Sequence, residues 1–164
     1  VEAMMNRVKH LLLVSIPFVL VGIPDVSSAQ RVSGKVFFTT QPIKDRSEKA
    51  LARQFAKEKP TIELKRNKDK SWEVTMVAFF RRKAHPGPIT FWFYDVKDKA
   101  AIKAKEPVHE ESVNSPAPKK TFIHNLLIDP SRGFNKNRTY HIWVGQIFGK
   151  RNRVYAEGLI VLKP

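Results

Sequence analysis

Hydrophobic and polar positions alternate along much of the chain after residue 30. In the run Trp72 to Phe80, residues Trp72, Val74, Met76, Ala78 and Phe80 share one face, and Glu73 and Thr75 begin the other. That alternation, in β-branched and aromatic residues, predicts a half-buried strand. The run Ile89 to Val96 is apolar on both faces and predicts a central strand. Between them Arg81-Arg82-Lys83-Ala84-His85-Pro86-Gly87-Pro88 holds two prolines and a glycine, which break pairing and turn the chain. The pattern predicts a hairpin with a basic, Pro-rich tip.

Other runs repeat the period. Val32 to Thr40 reads as a strand, with Gly34 marking a bulge or bend. In Thr61 to Arg66, Ile62 and Leu64 face in while Glu63 and Lys65 face out, and Asn67-Lys68-Asp69-Lys70 forms a polar turn. Residues 61 to 96 therefore read as a three-stranded antiparallel meander. Phe122 to Ile128, Thr139 to Phe148 and Arg153 to Leu162 complete the strands. One stretch carries a helical pattern. From Asp45 to Lys59, Asp45 and Glu48 form a capping pair, Leu51 and Phe55 make a narrow apolar seam, and Pro60 stops the helix. Lys97 to Pro118 reads as a long loop with one or two helical turns at its start and a small acidic cluster at Glu106, Glu110 and Glu111.

About seven short antiparallel strands with one short surface helix predict an all-β domain. Two stacked sheets bury such strands well, so the expected architecture is an immunoglobulin-like antiparallel β-sandwich, with a small β-barrel as the alternative.

The first 29 residues read differently. Arg7, Lys9 and His10 precede an apolar run from Leu11 to Ile23, and Ser27-Ser28-Ala29 has the small residues of a cleavage site. This is the pattern of a secretory signal peptide, and the run, interrupted by Pro17, is short for a membrane span. The expected organisation is a signal peptide over 1–29 and a single β-sandwich domain over 30–164. The exported chain would have no transmembrane segment and a periplasmic or extracellular location. Cysteine is absent, so the core must hold the domain without disulfides.

Charge changes the picture further. The net charge is +15 from 30 basic and 15 acidic residues, and Arg7 and Lys9 are offset by Glu2 and Asp25, so the excess belongs to the domain. A field of this size attracts polyanions. The basic residues cluster at strand ends and turns: Lys65, Arg66 and Lys68, then Arg81, Arg82 and Lys83, then Lys150, Arg151 and Arg153. These nine are the polyanion-binding candidates. Lys119-Lys120 and the group Arg132, Lys136 and Arg138 add to them. Tyr94, Phe134 and Tyr155 are the aromatics expected at the surface, but they follow no period that would interleave them with the basic clusters.

Candidate catalytic chemistry is sparse. The chain has no Gly-x-Ser-x-Gly and no phosphate-cradling glycine loop, and cysteine nucleophiles are excluded by composition. Glu110 and Glu111 are adjacent, so on an extended chain they point apart and make a poor acid–base pair. His109, His124 and His141 form a weak metal set, with no ligand spacing that demands an ion. His124 shares a face with Phe122, Leu126 and Ile128, which also suits a core histidine. Asn137-Arg138-Thr139 fits a glycosylation acceptor. No nucleic-acid motif and no cofactor site is present. The expected function is a non-catalytic interaction or structural module of the cell envelope, whose partner is a protein or an acidic polymer. The alternatives are a polyanion-binding module (acidic polysaccharide, anionic lipid or extracellular nucleic acid) working through the basic turns and, more weakly, a metal-dependent hydrolase.

Overall fold

A computed structural model describes residues 27–115, 117 and 119–164. The leader pattern up to residue 26 lies outside the described residues. Eight strands form one sheet: β1 (Lys35–Thr39), β2 (Thr61–Leu64), β3 (Trp72–Phe79), β4 (Gly87–Asp95), β5 (His109–Ser115), β6 (Thr121–Ile128), β7 (Arg138–Phe148) and β8 (Arg151–Leu162). Three short α-helices, α1 (Ser28–Val32), α2 (Glu48–Phe55) and α3 (Lys99–Ala104), and a 3-10 turn at Pro130–Arg132 accompany them among the described residues. The chain is thus mostly β, as its alternation predicts.

The strands form one curled sheet, and the two-sheet stack of the immunoglobulin-like reading is not confirmed. The strands run in the order β5-β4-β7-β8-β1-β3-β6, with β2 beside β8. The sheet curls into an open half-barrel around its own inner face, which brings it closer to the barrel alternative. The main core fills this trough: Val36, Trp72, Met76, Phe91, Phe93, Ile142, Val144 and Ile160 are at most 1% exposed. A second, smaller cluster lies on the outer face of β1 and β3. There Phe37, Val77 and Phe79 meet Val32 of α1 and Leu51, Ala52 and Phe55 of α2. The narrow apolar seam read on the helix is therefore real. Its cap is Ser47, whose hydroxyl accepts from the Ala50 amide, while Asp45, two residues before the cap, accepts from the Ser47 amide.

The expected meander is overturned by pairing. β2 runs parallel to β8, from Thr61 opposite Leu159 to Leu64 opposite Leu162, and pairs with neither β3 nor β4. β3 lies between β1 and β6, and β4 between β5 and β7. Residues 80–86 are consequently no hairpin tip; they cross from one side of the curled sheet to the other. The reason is in the loop. Phe80 and Ala84, 3% and 2% exposed, both turn into the main core and stopper one end of the trough. Three hydrogen bonds tie the crossing down: the amides of Phe80, Arg81 and Ala84 donate to the carbonyls of Lys120, Tyr155 and Lys119.

The long loop expected from Lys97 to Pro118 holds α3, matching its predicted helical turns, and also the edge strand β5. In β5 the pairing of Phe91 with Glu111 and of Phe93 with His109 puts polar side chains where core residues sit on other strands. The register of β7 and β8 jumps between Val144/Ala156 and Gly145/Val154, which leaves Tyr155 as an extra residue. Such a bulge bends a strand, and it admits both Tyr155 and Ala156 to the main core. Gly145 is required here, because a Cβ would lie 2.0 Å from the Arg153 carbonyl oxygen.

Candidate functional site: the basic end of the half-barrel

Two places gather charged or titratable side chains. The first is the seam where the sheet stays open. β5 and β6 are its two edges, and side chains bridge the gap between them. Glu111 of β5 is the centre. Its carboxylate lies 3.5 Å from His124 Nε2 of β6, 3.4 Å from Arg132 Nη1 and 3.9 Å from His109 Nε2. The last distance is too long for a hydrogen bond, and His109 Nε2 is buried without a partner. Aromatic rings pack around the group: His124 stacks on Phe91 at 5.2 Å, and His109 packs against Phe93 and Phe134. Burial holds the His109 imidazole below its usual pKa, and Arg132 pushes the same way against the opposing pull of Glu111. The side chains are between 23% and 43% exposed, so these contacts are worth little energy individually.

His141 does not join the cluster. It stands on the opposite face of the sheet, opposite Tyr94, with Nε2 3.3 Å from Glu157. The histidine set weighed as a metal site is thus split, with His109 and His124 together and His141 apart. No group of three or more His, Asp or Glu side chains among the described residues is arranged to hold an ion.

The second place is the stoppered end. The 80–86 crossing, the turn before β6 and the β7–β8 hairpin all emerge there. They carry Arg81, Arg82, Lys83, Lys119, Lys120, Lys150, Arg151 and Arg153, every one exposed. The alternation that turns Phe80 and Ala84 inward leaves Arg81, Arg82 and Lys83 outside. Among the described residues only Arg81 of this group meets a carboxylate, Glu157 at 3.2 Å. Gly34, at φ +76°, makes room for it: a Cβ there would sit 2.4 Å from Arg81 Nε.

A buried amide joins the loops. Gln146 is 3% exposed. Its Oε1 accepts from the His85 amide at 3.0 Å and from the Tyr155 hydroxyl at 3.0 Å, and its Nε2 donates to the His85 carbonyl at 2.9 Å. The crossing and the hairpin are therefore held as one surface. Beside them Phe148 packs against His85 at 5.6 Å, with the Arg153 guanidinium 4.8 Å from its ring centre. Nothing matches the chain: no family model, no curated protein and no solved structure.

Of the nine polyanion candidates, Arg81, Arg82, Lys83, Lys150, Arg151 and Arg153 meet at this end. Lys65, Arg66 and Lys68 sit at the other, on the turn before β3. The length of β3 separates the two groups by about 23 Å at strand rise. The expected surface aromatics are corrected outright: Tyr94, Phe134 and Tyr155 are at most 2% exposed. Instead Ile147 and Phe148, 48% and 40% exposed, are the apolar residues at the basic end. Their signal in the sequence was an Ile-Phe pair running directly into Gly-Lys-Arg. Gln146 gave none, since a lone glutamine in a strand looks like any outward polar residue.

Proposed function

We propose that the protein is a non-catalytic binding module that holds a polyanion on its basic end. The observation that carries this reading is the convergence of three basic segments on one end whose eight cations make a single carboxylate contact among the described residues. Unneutralised cations on a surface held by internal hydrogen bonds lose little entropy on binding, and each anion they meet releases counterions. The leader-like pattern of residues 1–29 supports placing the module outside the cytoplasm, where acidic polysaccharide, anionic lipid and extracellular nucleic acid are the available polyanions.

Titration of the protein with fluorescent heparin and with duplex DNA tests this. For about six anion contacts, affinity should fall roughly a thousandfold between about 50 and 200 mM salt. Binding that is absent, or indifferent to salt, overturns the reading. Contact with a protein partner of the envelope is the second reading. Leu127, 48% exposed on the edge strand β6, favours it, because edge strands present unpaired backbone groups to other chains.

A further inference from the structure

The basic end carries something that charge alone does not use. Among the described residues five large hydrophobic side chains are exposed: Val96, Val108, Leu127, Ile147 and Phe148. Scattered singly, such residues are ordinary. Ile147 and Phe148 are consecutive, and they close β7 at the hairpin that turns through Gly149 into Lys150 and Arg151. Adjacent strand residues point to opposite sides, so the hairpin shows an apolar side chain on each flank of its tip. Lys150, Arg151 and Arg153 follow at once, and Arg82 and Lys83 project from the neighbouring crossing.

We infer that this tip docks on an anionic lipid bilayer: Ile147 and Phe148 enter the headgroup region while the surrounding lysines and arginines hold lipid phosphates. The inference rests on the polyanion reading and selects one polyanion. Two features favour a bilayer over a polymer strand. An isoleucine cannot stack on a base or sugar, but it gains free energy on entering hydrocarbon. The tip residues Ile147 to Arg151 line neither of the two larger clefts, of about 510 and 570 Å³, and the smaller clefts that Arg81, Lys119 and Lys120 line do not include the tip either. Apolar insertion and basic attraction together supply the paired signals that stable peripheral binding takes.

The absence of cysteine gives a clean test. Ile147→Cys, labelled with a polarity-sensitive fluorophore in the full chain, is mixed with vesicles of phosphatidylglycerol and phosphatidylcholine, or of phosphatidylcholine alone. A label at Leu127→Cys, on an edge strand away from the tip, is the control. A local label reads the tip itself, whatever the apolar run at residues 11–23 does. The expected result is a blue shift at 147 on anionic vesicles only and none at 127. Arg151→Ser in the 147-labelled chain should weaken vesicle binding about fivefold. No shift at 147, an equal shift on neutral vesicles, or equal shifts at both labels overturns the inference. If heparin binding stays salt-sensitive while the 147 label stays in water, only the bilayer falls and the polyanion reading stands. If both responses are missing, both fall.

Discussion

The two ends of the half-barrel are almost equally rich in lysine and arginine, yet they are different surfaces. At the end of the β2–β3 turn several cations are engaged, while Lys65, Lys68 and Lys136 meet no carboxylate among the described residues. Arg138 meets Asp95 at 3.3 Å, Lys163 meets Glu63 at 3.6 Å, and Arg132 meets Glu111. Arg66 lies 5.1 Å from the ring centre of Trp72 and donates to the Lys70 carbonyl. At the stoppered end, among the described residues, only Arg81 meets a carboxylate, Arg153 and Lys119 lie over the Phe148 and Phe122 rings, and the loops are joined through one buried glutamine. Counting basic residues does not separate these ends; the placement of carboxylates and the fixing of loops do.

The comparison breaks most severely at the stopper. Phe80→Ala removes a core ring packed 5.3 Å from Tyr155 and should cost about 3–5 kcal/mol, read by urea denaturation. A loss below about 1 kcal/mol would mean that the crossing is not anchored by this residue. Next in size is charge. The triple change Arg82→Ser, Lys150→Ser, Arg151→Ser should weaken polyanion binding about a hundredfold, at roughly 1 kcal/mol per residue. The matching change at Lys65, Lys68 and Lys136 should alter it less than about threefold, since net charge acts mainly at long range. Equal losses in fluorescence titrations would erase the difference between the ends.

Gln146→Leu should follow at about 2 kcal/mol, because it leaves the His85 backbone groups and the Tyr155 hydroxyl without their partner. Hydrogen exchange should quicken at His85 and leave the β2–β3 turn unchanged. The smallest effect is pH at the seam. His109 has a folded pKa below its ordinary 6.5, so the unfolded chain takes up its proton first as pH falls. Stability from this residue is present above pH 6.5 and declines on acidification below it. Glu111 and Arg132 act on the ring, His124 meets the same Glu111 carboxylate, and Glu111 opposes the shift. His109→Asn should flatten the stability profile on acidification below pH 6.5; an unchanged slope would assign it to another group.

The sequence disclosed strands more readily than neighbours. Period-two alternation located β1, β3, β6, β7 and β8, because each has one face in the trough. Alternation carries no information about which strand lies alongside, so β3 and β4, adjacent in sequence, read as a hairpin that the fold does not contain. The clue was Phe80 and Ala84, too apolar for an exposed tip. β5 stayed hidden because its inward positions include His109 and Glu111, which serve the open seam instead of the core. For the candidate site, the basic clusters were plain in the sequence. Their sorting into two ends was not, since that follows from the curl of the sheet and from the long-range Gln146 bonds.

The central claim is that one end of the molecule binds. The most direct test is an NMR titration with a short heparin-derived oligosaccharide, following backbone amides. The account predicts shifts confined to residues 81–85, 119–120 and 147–153. Shifts centred on residues 65–70, or spread evenly over both ends, would contradict it.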